Sequence, residues 1–223
     1  MKYADARLVS EYDSAYQQPN YFKQNVSIER PFLKSVVRKA NLREGASVLD
    51  AGCGQGLFTW LFAELGFKAM GVDISKEGIL AAQKEYGSSS ATFEVGDIGT
   101  LPYVGAFDCV FARCLSQYNS ADFEVDHHIT DVFLRYVKPG GVFMFVHYTI
   151  LKPRKNSATW MFHSLRSVKK HFARYPGAKT YFSLRWLTSK VGFLAMSAPV
   201  TCVDSLISRV TGKGGYAVTL VSK

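Results

Sequence analysis

The sequence predicts an α/β domain of the doubly wound kind, on three observations. First, the apolar pair Val48-Leu49 leads into Asp50 and then breaks into glycines at alternate positions, Gly52, Gly54 and Gly56. Leu57-Phe58-Thr59-Trp60-Leu61-Phe62 then restarts with helical periodicity, which makes the stretch a strand, a tight turn and a first helical turn. Second, the run Phe67–Ser75 holds another acid, Asp73, 21 positions after Gly52. Third, further short apolar runs at Ala91–Val95, Phe107–Ala112 and Val142–Tyr148 are separated by stretches with helical character. Strands alternating with helices in this way build a parallel sheet with both faces covered.

Taken in order, residues 1–44 form a helical lead-in. Tyr3, Tyr12, Tyr16, Tyr21 and Phe22 crowd its first half, and Pro19 interrupts it. From Ile28, the positions Phe32, Leu33, Val36, Val37 and Ala40 follow helical spacing. The glycine turn comes next. Side chains there would block the turn or the approach of a ligand to main chain, and the following helix aims its free N–H groups into the same space. A pyrophosphate fingerprint needs Gly-x-Gly-x-x-Gly. Its last position is Leu57 read from Gly52, and Thr59 read from Gly54, so both registers fail. The order is instead Asp-x-Gly-x-Gly-x-Gly, and the acid ahead of the turn repels a pyrophosphate but attracts a cation.

Asp73 stands near the spacing at which an acid reaches ribose hydroxyls in such units, about 20 residues. Ser75 is placed to cap a helix over Lys76–Tyr86. Gly96-Asp97-Ile98 follows the third strand, Arg113-Cys114-Leu115-Ser116-Gln117-Tyr118 follows the fourth, and a helix is expected over Asp122–Val137. Lys138-Pro139-Gly140-Gly141 then turns into the fifth strand. Beyond it, an amphipathic helix is expected within Thr149–Pro176, with Ala158, Met161, Phe162, Leu165, Val168 and Phe172 on its apolar face. A helix from Tyr181 to Gly192-Phe193, a sixth strand within Phe193–Cys202, a short helix over Asp204–Thr211 and a last strand over Tyr216–Ser222 complete the chain.

A chain of 223 residues suits a single domain with a full core. Cys53, Cys109, Cys114 and Cys202 lack metal-ligand spacing and read as reduced thiols, and no metal is expected. There is no charged-then-apolar leader at Met1–Asp5 and no apolar run long enough to span a bilayer, so a cytoplasmic location is the expectation. Charge is unevenly spread. Residues 1–131 hold 17 acids and 12 Lys/Arg, whereas residues 132–223 hold 15 Lys/Arg and one acid, Asp204. Such polarity points to a basic face and an acidic partner.

The four matches in order, spanning Val48 to Tyr148, resemble the class I S-adenosylmethionine-dependent methyltransferases. The resemblance implies a Rossmann-like seven-stranded sheet of order 3-2-1-4-5-7-6, with the helical lead-in and a helical insert after strand five. It divides one domain, 1–223, into the lead-in 1–44, a cofactor-binding half 45–148, and an acceptor-side insert with C-terminal strands 149–223. It also implies S-adenosyl-L-methionine as cofactor, held by Asp50, Gly52, Cys53 and Gly54 at the turn. Asp73 and Ile74 would meet the ribose, Asp97 the adenine amine, and the Ile98 N–H the adenine ring. Arg113 joins this set, with Tyr21 and Arg30 from the lead-in, Arg30 through the ligand's carboxylate.

The implied reaction is methyl transfer to a nucleophile held in line. If the acceptor is a hydroxyl, it needs a base, and His147 at the end of strand five is the best candidate. Tyr118 and His163 are candidates to orient the acceptor, and His127-His128 are weaker ones. The segment Asn-Pro-Pro-Tyr or Asp-Pro-Pro-Tyr, used on planar amide-like nitrogens, is absent after strand four. A small-molecule acceptor is therefore preferred, anionic in view of the basic half: a sugar, a glycoconjugate or a lipid-linked intermediate. A basic amphipathic helix holding Arg166, Lys169, Lys170 and Arg174 leaves peripheral membrane contact open. Nucleic acid is disfavoured as a partner. The alternatives are an RNA methyltransferase using the basic half and a cofactor-binding protein without catalysis.

Overall fold

The structure, a computed structural model, describes residues 6–18, 24–119, 127–151, 154–155, 161–184 and 196–223. The lead-in is two helices, α1 (Ala6–Gln17) and α2 (Val26–Lys39). Asn25 caps α2, its side chain accepting from the Ser27 N–H at 2.9 Å. Then β1 (Ser47–Ala51), α3 (Leu57–Glu64), β2 (Lys68–Asp73), α4 (Lys76–Tyr86), β3 (Thr92–Val95) and β4 (Phe107–Arg113) alternate as expected. Ser75 caps α4 by accepting from the Gly78 N–H at 3.1 Å.

Strands β1 to β5 are parallel. β1 lies between β2 and β4, with β3 outside β2 and β5 (Val137–Ile150) outside β4. The β4–β5 register jumps from Phe107↔Val137 to Cys109↔Val142, so Lys138–Gly141 is bulged out of the pairing, with Gly140 at φ +77°. That bulge is the expected turn, enclosed within a longer strand. α5 (His127–Tyr136) precedes it; residues 122–126 of the expected helix lie outside the described ones.

The last third departs from expectation in detail. Among the described residues of Thr149–Pro176 only Leu165–Phe172 is helical (α6), and Ala158 lies outside them. Met161–Ser164 is instead a strand, β7, which pairs with β6 (Arg154–Lys155) and with the end of β5. β7 takes the edge of β5 beyond the point where β4 ends, since β9 holds the other edge. Among the described residues of Phe193–Cys202 there is no strand. Residues Ala198–Cys202 open the helix α7 (Ala198–Thr211), and residues 193–195 lie outside the described ones. Lys179–Ser183 (β8) takes that place, although Tyr181–Ser183 had the look of a helix start. The reason is tertiary. β9 (Gly215–Ser222) is buried along nearly its whole length, so the main-chain groups on both its edges need partners. β5 supplies one edge and β8 the other, both antiparallel to β9. The resulting order 3-2-1-4-5-9-8 is the implied 3-2-1-4-5-7-6 once the β6–β7 hairpin is counted separately.

Two apolar layers flank the sheet. Phe143, Phe145, Phe133, Val168 and Phe172 join α5 and α6 to one face. Phe32, Leu33, Val36, Leu61, Phe62, Met144 and Val146 join α2 and α3 to the other. α6 thus spends its apolar stripe on the core, burying Val168 and Phe172, while Arg166, Lys169 and Lys170 stay exposed. A helix so packed has no apolar side left for a membrane, which removes it as an interfacial anchor. Among the described residues, no helix is long and apolar enough to cross a membrane.

Candidate functional site

A cavity of about 900 Å³ opens at the C-terminal ends of β1, β2 and β4, the end at which open parallel sheets bind ligands. The glycine turn forms one wall. Gly52 and Gly54 have φ of +74° and +54°, the left-handed region that side chains disfavour. A Cβ on Gly52 would run into the Leu115 side chain, and one on Gly54 would stand 2.6 Å from the Tyr16 hydroxyl. Asp73 holds the turn in place. One of its carboxylate oxygens accepts from the Gly54 N–H at 2.8 Å, and the other from the Ser75 N–H at 2.9 Å.

Asp50 is buried at the end of β1 and accepts from the Thr59 hydroxyl at 2.7 Å. Burial pushes its carboxyl up to about 7, with the nearby Asp73 adding to the rise and the Thr59 bond opposing it. The folded protein without ligand therefore holds the Asp50 proton more tightly than the unfolded chain does. Ionisation then costs stability as pH rises from about 4 through 7. Asp50→Asn is expected to raise the stability of the ligand-free protein by on the order of 2 kcal/mol at pH 8, and hardly at all at pH 4. Thermal melts of both proteins at the two pH values measure this; a gain that did not depend on pH would contradict it.

The remaining lining comes from four places. Asp97 and Ile98 follow β3, and the Asp97 carboxylate accepts from the Gly99 N–H at 2.9 Å. Cys53 and Ile74 lie between the turn and α4. Cys114 to Gln117 follow β4, and Cys114 takes φ +49°, an unusual conformation for a residue with a side chain. Arg113, at the end of β4, lies 3.8 Å from the Glu29 carboxylate and over the Phe58 ring at 4.8 Å, and it donates to the Tyr216 hydroxyl at 3.3 Å. Its buried Nε has no hydrogen-bond acceptor among the described residues.

α1 closes the cavity on one side through Leu8, Tyr12 and Tyr16, the two rings stacked at 6.0 Å. Asp13 pins this helix to the N-terminus of α4, accepting from the Ser75 hydroxyl and from the Glu77 N–H at 3.2 Å. A carboxylate there also meets the positive end of the α4 dipole. Burial and the neighbouring Asp73 hold the Tyr16 phenol far above its ordinary value, so it is a neutral hydroxyl.

Of the expected site residues, Asp50, Gly52, Cys53, Gly54, Asp73, Ile74, Asp97, Ile98 and Arg113 all line this cavity. Tyr21 lies outside the described residues. Arg30 is not in the lining. It sits over the Trp60 ring at 5.2 Å, 3.7 Å from Glu64, while its neighbour Glu29 turns inward. The arginine facing the cavity is Arg113. Tyr12, Tyr16, Glu29, Ser116, Gln117 and Tyr216 belong to the lining without having been singled out.

His147 and Tyr118 are also absent from the lining, and both are fully buried. His147 lies parallel to Phe145 at 5.5 Å, with His163 at 5.8 Å. Burial, with His163 beside it, lowers its pKa to about 3, too low for an effective base near neutral pH. Tyr118 shares a 2.7 Å hydrogen bond with Thr130, which lies 3.1 Å from His171 Nε2. His163 Nε2 donates to the Tyr118 carbonyl at 3.0 Å, and its pKa falls to about 4 through burial. These groups brace the loop after β4 from behind. His147, expected as a base, is thus buried and not among the described residues that line the cavity. His147→Phe is expected to keep turnover within about threefold, against the 10²–10⁴-fold weight of a true general base. It should also reduce acid sensitivity, because a base whose pKa is depressed in the folded state loses stability as pH falls below about 6.5. Steady-state rates and melts from pH 7 to 4 test both expectations.

Among the described residues, no group of three His, Cys, Asp or Glu is arranged to hold a metal ion. The arrangement offers a main-chain cradle, buried carboxylates for cations or hydroxyls, and one arginine for an anion.

Comparison with known proteins gives a consistent picture. A family model described as "Methyltransferase domain" matches residues 42–214. The malonyl-[acyl-carrier protein] O-methyltransferase of Erwinia billingiae is 28% identical over 140 residues, which cover 62% of this chain and 53% of that protein. Phosphoethanolamine N-methyltransferase 1 of Arabidopsis thaliana is 33% identical over 125 residues, covering 52% of this chain and 23% of its own length. The chain therefore spans about half of the first relative and a quarter of the second. Among solved structures, phosphoethanolamine N-methyltransferase 2 of Haemonchus contortus superposes with a TM-score of 0.63 at 16% identity, over 95% of this chain and 60% of that one. That protein was solved with S-adenosyl-L-methionine, and also with phosphomonomethylethanolamine and S-adenosylhomocysteine.

Proposed function

Because the chain belongs to the methyltransferase domain family, we propose that its cavity binds S-adenosylmethionine and that the protein methylates a small-molecule acceptor. The observation that carries this reading is a main-chain cradle between two buried carboxylates, Asp50 and Asp73. Both carboxylates would repel a pyrophosphate, whereas a ligand with an ammonium, a sulfonium and a ribose diol suits them. S-adenosylmethionine, when bound, supplies a methyl group on a sulfonium, whose loss leaves a neutral thioether.

The residues present fit that ligand. Asp73 offers two oxygens to the diol while still holding the turn. Asp50 answers the cationic end, and Arg113, with its unbonded Nε, answers the carboxylate. Asp97 and the Ile98 N–H, both on the lining, would meet the adenine edge. Tyr12 and Tyr16 would exclude water from one side, and Ser116 and Gln117, on the lining after β4, would face the acceptor. Transfer then depends mainly on holding acceptor and methyl in line.

The acceptor is proposed to be anionic, a phosphorylated or otherwise acidic small molecule. The support is the basic C-terminal half, acid-free from Val132 to Val203, and the phosphate-bearing ligand of the Haemonchus contortus protein. The proton on Asp50 gives a direct test of the cofactor site. A cation binds only when Asp50 is ionised, so with its carboxyl at about 7 affinity for S-adenosylmethionine should rise about tenfold from pH 6 to 8 and level off above that. Asp50→Asn should bind more weakly and lose that dependence. A flat profile in the unaltered protein would take Asp50 out of the cofactor contact.

A further inference from the structure

A second cavity, of about 400 Å³, lies at the other end of the sheet. Three cations line it, Arg38 and Lys39 from the end of α2 and Lys179 from the start of β8, together with the hydroxyl residues Ser35, Ser197 and Ser222. Among the described residues that line it there is no Asp or Glu. β9 measures its separation from the first cavity. Tyr216 lines the first, Ser222 the second, and the six residue steps along the strand from one to the other span about 20 Å.

Ordinary surface chemistry explains part of this group. Arg38 and Lys39 sit in the last turn of α2, where cations complement the helix dipole. That account covers neither Lys179, which comes from a different element, nor the hydroxyls. It also does not explain a concave shape with cations from two sides. Lys39 is oriented by the Tyr181 ring, its ammonium 4.7 Å from the centroid. Cations converging on a hollow with no carboxylate among its described lining residues suit an anion with several oxygens; the Ser197 and Ser222 hydroxyls suit the same oxygens as donors, whereas the Ser35 hydroxyl already donates to the Pro31 carbonyl at 3.0 Å.

We propose that this cavity is an anion site for a phosphate-bearing ligand, separate from the cavity in which methyl transfer is placed. Its chemistry is that of a phosphomonoester or diphosphate, carried either by a soluble molecule or by an anionic lipid headgroup. The site stands on its own geometry and does not depend on the methyl-transfer reading.

The test uses the full chain. Inorganic pyrophosphate is titrated calorimetrically at low salt into the unaltered protein and two triple variants. One variant removes the cavity's cations (Arg38→Ala, Lys39→Ala, Lys179→Ala). The other removes the same charge from exposed positions elsewhere (Lys68→Ala, Arg209→Ala, Lys213→Ala). All six side chains are exposed, so folding should survive, and a melt checks it. Pyrophosphate is expected to bind one site per chain, about tenfold or more weaker in the cavity variant and within about twofold in the control. Co-sedimentation with phosphatidylcholine–phosphatidylglycerol vesicles runs in parallel. Vesicle binding lost only in the cavity variant assigns the site to a lipid headgroup; vesicle binding that is absent or unchanged assigns it to a soluble phosphate. Equal weakening of pyrophosphate in both variants, unchanged affinity in the cavity variant, or no binding by the unaltered protein would overturn the proposal.

Discussion

Asp73→Ala is expected to weaken S-adenosylmethionine binding about 100-fold. Asp73 is 6% exposed and serves two purposes at once. Its oxygens take the Gly54 and Ser75 N–H groups, and their remaining lone pairs face the cavity. Losing two charge-assisted bonds to a diol, at about 1.5–3 kcal/mol each, accounts for a change of that size even when partly compensated. The two freed N–H groups should add a stability loss of about 2 kcal/mol. Asp73→Asn separates the effects, since it keeps one acceptor oxygen and the same shape. It should recover part of the stability and much less of the affinity. Calorimetry and denaturant titration on the three proteins measure both quantities. An unchanged dissociation constant in Asp73→Ala would remove Asp73 from the ligand.

Gly52→Val is expected to abolish detectable cofactor binding and to cost about 3 kcal/mol of stability. The left-handed conformation of Gly52 costs an ordinary residue about 1–2 kcal/mol, and a Cβ there enters the Leu115 side chain. Leu115 belongs to the loop after β4 that lines the same cavity, so relieving the clash moves a second wall of the site. The milder pair Gly52→Ala and Leu115→Ala makes this checkable as a double-mutant cycle. Leu115→Ala should return part of the stability lost by Gly52→Ala, while binding stays impaired in both single variants and in the double. Additive stabilities would mean that the two residues do not meet.

The first half of the sheet was legible because local physics explains the residues where β1 and β2 end: an acid before a glycine turn, an acid at ribose spacing and a serine cap on the helix that follows. The insert was less legible. Tyr181-Phe182-Ser183-Leu184 suits a helix or a strand, and the deciding fact is the open edge of β9, far away in sequence. Met161 and Phe162 fell on a helical stripe by spacing, yet the chain there pairs with the end of β5.

At the site, the misplaced residues share one cause, the direction of a side chain. Glu29 and Arg30 are adjacent on α2, and a helix turns neighbours about 100° apart, so only Glu29 faces the cavity. His147 was attractive because strand five ends near it. The alternation of Phe143, Phe145 and His147 sets all three on the α5–α6 side of the sheet. That two-residue period was present in the sequence and argued for a core position. Tyr12 and Tyr16, four apart, also share a helix face, a signal masked by the other aromatics of the lead-in.

The measurement that bears most directly on the central claim is a calorimetric titration of the unaltered protein with S-adenosylmethionine, S-adenosylhomocysteine and NADH at pH 7.5. The account predicts one site per chain for the first two ligands, with affinity lost in Asp73→Ala, and no binding of NADH. Binding of NADH alone would contradict it, and so would sulfonium-cofactor binding that is indifferent to both Asp73 and Gly52.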